Sequence, residues 1–358
     1  MALSVVLAGG GTGGHISPAL ALAQTIRRRE PDARVRFIGT EHGLETTQVP
    51  AAGFPLDVVP SRQVLGRNPL AAAAALLVTL RGVGRALSLL RSVRPDLVIG
   101  VGGYASVPTV AAARLLRIPT VLVEPDALPG RANHLLARFA RRVFVQFEAA
   151  LAELPEGRGV LTGLPVRELP TPSADTGAGE VHLLVTGGSQ GARSINRAIC
   201  SALPRLAGAK LRITHQTGPA HLDEVRNAYR AAGVHADVEA FFDELPSLIA
   251  NADLVLARAG ANTCAELCVA RTPSILVPYP HAANDHQTAN ARELERAGAC
   301  VMIPDAQLEA RLGDEILGLV ADPERRRRMA EAAAERARPE AADRIWEECV
   351  TLIGETRR

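Results

Sequence analysis

Three glycine-rich segments, each directly after a short apolar run, are the parts of this sequence best suited to holding a phosphate group. They are Gly9 to Gly14, Gly102-Gly103 and Gly187 to Gly191. Glycine lets the backbone approach a phosphate and present its N–H groups at the positive end of a following helix. A tight strand-to-helix turn without a ligand is the alternative for each segment taken alone. An NAD site is disfavoured, because Glu41 lies too far along the chain to bind the ribose of a dinucleotide.

His15 follows the first glycine segment directly and is a candidate general base. A neutral imidazole can deprotonate a hydroxyl group at physiological pH. A purely structural histidine is the alternative. Because ligands gather at the glycine-rich ends of strands in α/β domains, we favour a functional role for this residue.

A second set of polar residues follows two predicted strands in the second half of the chain. Arg258 to Glu266 leads from one strand into a helix, where the Glu266 carboxylate can accept both hydroxyls of a ribose. Favourable placement in the helix dipole is the alternative. The residues after the other strand, Ile275 to Val277, include His281, Asn284, Asp285, His286, Gln287 and Asn290. This density of hydrogen-bonding groups predicts a loop that binds a polar ligand.

No metal site is predicted in this loop. His281 and His286 are five residues apart, so a helix would direct them to different faces. The sequence also has no HExxH, DxD or paired CxxC motif. Cys264 and Cys268 are one helical turn apart and are predicted to be buried packing residues. We therefore expect no metal and no other cofactor.

The composition is that of an ordinary soluble protein of about two domains: 358 residues, 47% hydrophobic and 22% charged. A net charge of +2 is too balanced for nucleic acid to be the main partner. Five cysteines without a CxxC pair indicate a reducing cytoplasm.

The first residues lack the basic region of an export signal. The longest apolar run, Leu70 to Val78, is shorter than the roughly 18 residues that span a bilayer, so we expect a chain that does not cross a membrane.

The predicted elements alternate between short β-branched runs and Ala/Leu/Arg-rich helical stretches, which is typical of parallel sheets in the α/β class. Similar strand, glycine loop and helix units half a chain apart predict two doubly wound domains. We place their boundary near Arg167, before the Pro/Gly/Ser/Thr-rich segment Glu168 to Glu180. A helix from Glu324 should break at Pro339, and Ala341 to Ile353 should form a final helix.

The predicted helix Pro69 to Arg94 combines leucines with four interspersed arginines. An amphipathic helix packed on a sheet explains this pattern, and on the residues alone we favour it. A helix lying on an anionic lipid surface is the alternative.

Four ordered segments closely resemble one bacterial family. They are Gly9 to Ile16, Gly102 to Pro108, Gly187 to Arg193 and Arg258 to Glu266. The family is that of the undecaprenyl-pyrophosphoryl-MurNAc-pentapeptide N-acetylglucosaminyltransferases, the peptidoglycan enzymes that make lipid II from lipid I. The correspondence extends over essentially the whole chain, which makes it far more specific than any single glycine loop.

The resemblance implies an α/β protein of the GT-B class, in which two Rossmann-like domains with parallel sheets face a cleft. Residues 1–166 would form an acceptor and membrane domain, residues 167–339 a UDP-sugar donor domain, and a helix at 340–358 would pack back on the first. The implied reaction is an inverting, metal-independent transfer of GlcNAc from UDP-GlcNAc to the C4 hydroxyl of MurNAc in lipid I. Its implied partners are UDP-GlcNAc, lipid I and the anionic cytoplasmic face of the cell membrane.

The resemblance also implies donor-binding residues. They are Thr12, Gly13, Gly14, Asp126, Arg167, Ser189, Gln190, Gly191, Phe242, Glu266 and Gln287. Ser189 and the helix start after it would hold the pyrophosphate, Glu266 the ribose and Gln287 the sugar hydroxyls. The backbone of Phe242 would meet the uracil, and Arg167 matches an arginine of the donor site.

Three further residues are implied on the acceptor side. Tyr104 and Ser106 would lie near the acceptor pyrophosphate. His15 would be the catalytic base or would position the acceptor. The loop that contains Thr12, Gly13 and Gly14 would close on the donor sugar and the acceptor.

Two positions depart from the family pattern. Asp126 stands where the family has an asparagine, and an ionised aspartate accepts hydrogen bonds without donating and repels phosphate. Leu164 replaces the asparagine of a Gly-Asn-Pro-Val-Arg motif, which removes a hydrogen bond. These changes leave open a related GT-B transferase with another sugar nucleotide or lipid acceptor, or a donor-binding protein of low activity.

Overall fold

The computed structural model describes residues 2–10, 13–62, 69–170 and 179–357 of the chain. They form two compact units. Unit 1 takes the chain up to Arg167 together with the residues from Pro339 onward, and unit 2 takes Glu168 to Arg338. Each unit is built around its own parallel sheet.

Unit 1 alternates strands and helices. Its strands are β1 Ser4–Ala8, β2 Arg34–Gly39, β3 Leu56–Val58, β4 Leu97–Gly100, β5 Thr120–Glu124, β6 Arg142–Val145 and β7 Gly159–Leu161. Its first five helices are α1 Gly13–Arg29, α2 Glu45–Ala51, α3 Pro69–Val93, α4 Val107–Leu115 and α5 Arg131–Ala137. The described strands pair in the order β3-β2-β1-β4-β5-β6-β7. Every residue of β1, β4 and β5 is buried, as expected of a parallel sheet with helices on both faces.

Unit 2 repeats this plan. Its strands are β8 Val181–Thr186, β9 Leu211–Gln216, β10 Ala236–Glu239, β11 Leu254–Arg258, β12 Ser274–Val277 and β13 Cys300–Met302. Its helices are α6 Arg193–Leu206, α7 Leu222–Ala232, α8 Leu245–Ala250, α9 Ala261–Ala270, α10 His286–Arg296, α11 Leu308–Ala321 and α12 Pro323–Arg336. The strand order in the described residues is β10-β9-β8-β11-β12-β13, again parallel. The predicted α/β class with two doubly wound sheets is confirmed.

The last helix, α13 Ala341–Arg357, belongs to unit 1 and packs on α1. Arg29 donates hydrogen bonds to Asp343 Oδ1 at 2.7 Å and to Glu347 Oε1 at 3.2 Å. These ion pairs are partly exposed and contribute little individually. Trp346 is only 2% exposed, so the burial of its ring stabilises the packing of α13 more strongly. The predicted helix, break and helix around Pro339 are confirmed.

The chain changes direction across each sheet at its centre, and this reversal positions the glycine segments. β1 lies between β2 and β4, and β8 lies between β9 and β11. Loops that leave neighbouring strands in opposite directions open a crevice at the carboxyl edge, where α/β proteins bind ligands. In unit 1 these loops contain Gly9 and Gly102, and in unit 2 they contain Gly187 and Gly260.

α3 has one side against the sheet and one in solvent. Leu90 is buried, whereas Leu76, Leu77 and Leu80 are each about half exposed. By length and composition alone, Ala73–Val93 is apolar enough to cross a membrane. This segment is longer than the uninterrupted apolar run of the sequence because it continues past arginines. Its buried side is that of an amphipathic helix packed on a domain.

Two glycines of α3 predict opposite effects of the same substitution. An added Cβ at Gly82 would lie 2.0 Å from the Pro60 carbonyl oxygen and 3.2 Å from Pro108 Cβ, whereas no described atom lies within 4 Å of a Cβ at Gly84. We expect Gly82→Ala to lower the free energy of unfolding of unit 1 by about 1–3 kcal/mol through overpacking. Gly84→Ala should raise it by about 0.5–1 kcal/mol, because alanine is the better helix former.

Denaturant titration followed by the fluorescence of Trp346, the single tryptophan of the chain, measures both effects in unit 1. A change of the same sign in the two variants would contradict the contact of α3 with Pro60 and Pro108.

Candidate functional site

The imidazole of His15 lies against the glycines that follow β4. His15 is half-buried in the first turn of α1. An added Cβ at Gly102 would lie 2.8 Å from His15 Cδ2, and one at Gly103 would lie 3.4 Å from His15 Nδ1. Both glycines have positive φ, +93° and +73°, a conformation that other residues rarely adopt. Glycine at these positions therefore admits the imidazole to the crevice of the unit 1 sheet.

The loop after β4 also contains the two predicted acceptor residues. Tyr104 is 38% exposed, and its carbonyl oxygen accepts a hydrogen bond from Ser61 Oγ at 2.8 Å. Ser106 is fully buried, and its hydroxyl donates to the Gly103 carbonyl oxygen at 2.9 Å. Tyr104 is thus the accessible side chain of this loop, and Ser106 holds its backbone.

Five predicted donor residues belong to unit 1. Gly13 and Gly14 begin α1, whereas Thr12 lies outside the described residues. Asp126 is half-buried, two residues beyond the end of β5. Arg167 is exposed at the last residue of the first segment of unit 1. At the other departure from the family pattern, Leu164 is 2% exposed and packs as an ordinary core residue.

Glu124, to which the sequence assigned no role, is a buried carboxyl group at the end of β5. Its Oε1 accepts from the Asp126 N–H at 3.0 Å, and its Oε2 accepts from the Gly130 N–H and from Asn133 Nδ2, both at 3.0 Å. Burial raises the pKa of Glu124 to about 8, and the neighbouring Asp126 carboxylate adds to this rise. Asn133 Nδ2 would lie 3.3 Å from a Cβ at Gly102, so this cluster adjoins the glycines after β4.

Glu124 predicts a pH dependence of stability. The carboxyl loses its proton near pH 4.5 in the unfolded chain, but keeps it to about pH 8 when folded. Between these values the folded state binds more protons than the unfolded state, so the contribution of Glu124 to the free energy of unfolding falls as pH rises. Outside this window its contribution is constant. We expect Glu124→Gln to remove the contribution of this carboxyl to the fall in the free energy of unfolding with pH. Denaturant titration followed by Trp346 fluorescence, repeated between about pH 4.5 and pH 8, measures this fall.

Glu153→Gln changes an exposed carboxylate of the same unit and is the matched control. It should retain the wild-type slope. A wild-type slope in Glu124→Gln as well would show that this carboxyl is ionised in the folded protein throughout the window.

Unit 2 has a cavity of about 1150 Å³ at the crevice of its sheet. Among the predicted donor residues, Gly191, Glu266 and Gln287 line this cavity. They come from the loop after β8, from α9 and from the start of α10. The fold of unit 2 therefore brings together three predicted residues that are far apart in the chain.

Glu266 and Gln287 are held differently in the cavity. Glu266 lies in the second turn of α9 and is only 6% exposed. The side-chain carbonyl of Gln287 accepts a hydrogen bond from the Tyr279 N–H at 2.9 Å, so its NH₂ group is the part suited to donate to a ligand. Just before it, Asn284 and Asp285 have φ of +55° and +53°. Backbone strain of this kind is typical of functional sites.

Arg258, at the end of β11, is a cavity residue whose importance the sequence did not reveal. Its guanidinium donates to Asp305 Oδ1 at 2.6 Å and to Ser194 Oγ at 2.7 Å. It also donates to the carbonyl oxygens of Val277 and Pro278, both at 3.2 Å. One side chain thus joins the start of α6, the end of β12 and the segment before α11. An arginine at the end of an otherwise apolar strand is the signal that could have identified it.

Three predicted donor residues do not line the cavity. Ser189 and Gln190 are exposed in the turn between two glycines that do line it. Phe242 is half-buried and lines a different pocket of unit 2. The strand order explains its position, since Phe242 follows β10, which is two strands away from β8.

The polar groups around the cavity suit a nucleoside diphosphate sugar. Arg193 and Ser194 line it at the start of α6, where a helix favours a negative charge, and Glu266 supplies an acceptor for hydroxyl groups. Within the part of the chain that the structure describes, no group of three or more His, Cys, Asp or Glu side chains is placed to hold a metal ion.

Two family models match this chain. Residues 5–145 match the glycosyltransferase family 28 N-terminal domain, and residues 182–345 match the glycosyltransferase family 28 C-terminal domain. The chain belongs to glycosyltransferase family 28. The expectation that it is a sugar-transferring enzyme is confirmed.

Curated relatives of this family 28 enzyme match along almost the whole chain. One from Anaeromyxobacter sp. (strain Fw109-5) is 43% identical over 98% of this chain and 94% of its own length. Another from Geobacter sulfurreducens is 41% identical over 99% of this chain and 100% of its own length. Both carry the name UDP-N-acetylglucosamine--N-acetylmuramyl-(pentapeptide) pyrophosphoryl-undecaprenol N-acetylglucosamine transferase.

A solved structure agrees with these relatives. The crystal structure of Acinetobacter baumannii MurG is similar to this family 28 chain with a TM-score of 0.81 and 28% identity, covering 99% of both chains. Together with the two Rossmann-like units, this likeness confirms the family resemblance and the GT-B fold class.

Proposed function

We propose that this family 28 enzyme transfers GlcNAc from UDP-GlcNAc to the C4 hydroxyl of MurNAc in lipid I, giving lipid II and UDP. The observation that carries this function is the full-length identity of 41–43% to relatives named for that reaction. The cavity of unit 2 is consistent with it, because its lining offers groups for the pyrophosphate, the ribose and the sugar of a nucleoside diphosphate sugar.

In this proposal unit 2 binds the donor. The start of α6 and the turn with Ser189, Gln190 and Gly191 hold the pyrophosphate through backbone N–H groups. The buried Glu266 carboxylate accepts hydrogen bonds from the ribose hydroxyls, and Gln287 donates its NH₂ to the sugar. The backbone of Phe242 meets the uracil base.

Unit 1 binds the acceptor, and His15 acts on it. The imidazole removes the proton of the C4 hydroxyl, and the hydroxyl oxygen attacks the anomeric carbon of GlcNAc from the face opposite UDP. The carbon–oxygen bond to the diphosphate breaks, and its electron pair leaves with UDP, so the anomeric configuration inverts. Tyr104 contacts the acceptor pyrophosphate, Ser106 supports that loop, and Thr12 lies in the closing loop. No step uses a metal ion or another cofactor.

Asp126 and Arg167 complete the proposed donor contacts from unit 1. Arg167 offers a positive charge to the donor. Asp126 accepts hydrogen bonds from sugar hydroxyls, where an amide would also donate. Asp126→Asn restores that donor and removes a charge that repels phosphate, and is therefore the first variant to make if turnover is slow.

Transfer of labelled GlcNAc from UDP-GlcNAc to a purified lipid I analogue, with EDTA present, tests the reaction. We expect labelled lipid with wild-type protein. His15→Ala should lower kcat by about 10²–10⁴-fold, the contribution of a general base, with little change in the donor KM. Glu266→Gln should mainly raise the donor KM, because it weakens the acceptor of ribose hydroxyls. Glu331→Gln, a surface carboxylate of α12, is the control and should behave as wild type.

Three results would contradict parts of the proposal. Normal turnover by His15→Ala would remove the assignment of the base. Transfer from another nucleotide sugar or to another lipid would indicate a related GT-B enzyme. Binding of UDP without transfer to any acceptor would indicate a donor-binding protein.

We also propose that α3 lies on the anionic cytoplasmic face of the cell membrane, where the enzyme would bind lipid I. Leu76, Leu77 and Leu80 are 49%, 62% and 55% exposed, and Arg81 and Arg85 are exposed one turn further along the helix. An exposed apolar stripe beside arginines suits the boundary between acyl chains and anionic headgroups.

The triple variant Leu76→Gln, Leu77→Gln, Leu80→Gln tests the membrane proposal. We expect its binding to vesicles with anionic lipid to fall by more than about tenfold, because burial of three leucines is lost. Sedimentation with vesicles of phosphatidylglycerol and phosphatidylcholine measures this. Leu115→Gln, which changes a leucine of α4 that is 66% exposed, is the control. Equal binding by the triple variant and wild type would contradict the placement of α3 on the membrane.

A further inference from the structure

Gln216, the last residue of β9, bonds two loops of unit 2 with one fully buried side chain. Its Nε2 donates to the Gly188 carbonyl oxygen at 3.1 Å and to Thr186 Oγ1 at 3.3 Å. Its Oε1 accepts a hydrogen bond from the Phe242 N–H at 2.9 Å. The first loop follows β8, and the second follows β10. Gln216 thus connects the turn proposed for the pyrophosphate with the segment proposed for the uracil.

The strand register explains why a glutamine at this position reaches both loops. β9 lies between β8 and β10, and Gln216 pairs directly with Thr186. Both amide hydrogens and the carbonyl oxygen of the side chain are used, which fixes the orientation of the amide. Thr186 Oγ1 also accepts from the Gly188 N–H at 3.1 Å. The start of the glycine loop is therefore held from both sides.

The residues that follow Gln216 lie directly against the glycine loop. An added Cβ at Gly191 would lie 1.9 Å from the Thr217 carbonyl oxygen, and one at Gly218 would lie 2.2 Å from the Gln190 carbonyl oxygen. Only glycine permits this approach of two backbones.

A buried hydrogen-bond network that includes Asn196 of α6 holds the end of β9 and Thr217, the residue after it. Asn196 Nδ2 donates to the Thr217 carbonyl oxygen at 2.9 Å, and Asn196 Oδ1 bonds His215 Nε2 at 3.1 Å. Burial lowers the pKa of His215 to about 3, so this support stays neutral at physiological pH.

We infer that Gln216 is a positioning residue for the donor nucleotide, fixing the distance between the loop that holds the pyrophosphate and the segment that meets the base. This inference rests on the proposed function of the unit 2 cavity. Gln216 acts through Gly188 and Phe242 and is not a catalytic residue. Its loss is therefore expected to weaken donor binding in the ground state and in the transition state alike.

The test uses the full chain with Gln216→Met, a side chain of similar length without hydrogen-bonding groups of comparable strength. Titration calorimetry with UDP gives a Kd, and the transfer assay gives KM and kcat. We expect Kd for UDP and donor KM to rise about tenfold, since three hydrogen bonds that order the loops are lost, with kcat within about threefold of wild type. The acceptor KM should not change.

Thr214→Val is the matched control. Thr214 lies two residues earlier on β9, is 4% exposed, and its hydroxyl hydrogen-bonds His182 Nε2 at 2.9 Å, not Gly188 or Phe242. A merely structural effect of losing a buried hydrogen bond would lower stability in both variants without raising Kd for UDP. If Gln216→Met does not fold, Gln216→Glu preserves the size and the acceptor for Phe242, and a rise in Kd for UDP is again expected.

Other results would contradict either the positioning role or the proposed function. Unchanged Kd and KM, or a fall in kcat at constant KM, would overturn the positioning role. Tighter UDP binding would overturn it as well, because it would show that Gln216 competes with the base for the Phe242 N–H. Failure of the wild-type protein to bind UDP would instead overturn the proposed function on which the inference rests.

Discussion

The parallel pairing of the central strands is the constraint on which both units depend. β1 is paired with β2 on one side and β4 on the other, and β8 is paired in the same way with β9 and β11. Because all these strands point in one direction, their carboxyl ends meet at one edge of each sheet. The chain then leaves the two central strands toward opposite sides, and the loops separate there. Backbone groups in these loops are not used by the sheet, so they are available for ligands and for side chains such as Gln216.

Glycines at these edges permit two different close approaches. In unit 1, Gly102 and Gly103 leave room for the imidazole of His15, which can accept a proton. In unit 2, Gly191 and Gly218 let two loops contact each other, and neutral amides and hydroxyls hold them together. The same strand plan thus positions the proposed base in one unit and the loops of the proposed nucleotide site in the other.

Local patterns were sufficient to predict much of this arrangement. The glycine segments, the helix that carries Glu266 and the helix break at Pro339 are each encoded within about ten residues, where φ preferences and capping act. Arg258 was missed because its partners Ser194 and Asp305 are 64 and 47 residues away. Gln216 was missed for the same reason, since only the order of the strands brings Gly188 and Phe242 to it. The strand order also explains why Phe242 does not line the cavity. A single sequence does not determine which strands become neighbours.

In the proposed transfer, much of the rate enhancement must come from the orientation of the donor and the acceptor. A helix start stabilises an anionic group by about 0.3–2 kcal/mol, whereas enzymic rate enhancements correspond to about 8–23 kcal/mol. A general base, the role proposed for His15, contributes about 10²–10⁴-fold, or about 3–5 kcal/mol. Correct orientation of two reactants supplies up to about 7–11 kcal/mol, and a misplacement of about 1 Å costs about 10²-fold in rate. The largest contribution therefore depends on groups that need not touch the substrate. In unit 2 the groups proposed for this role are the buried amide of Gln216 and the guanidinium of Arg258, which together tie the ends of four strands to loops of this unit.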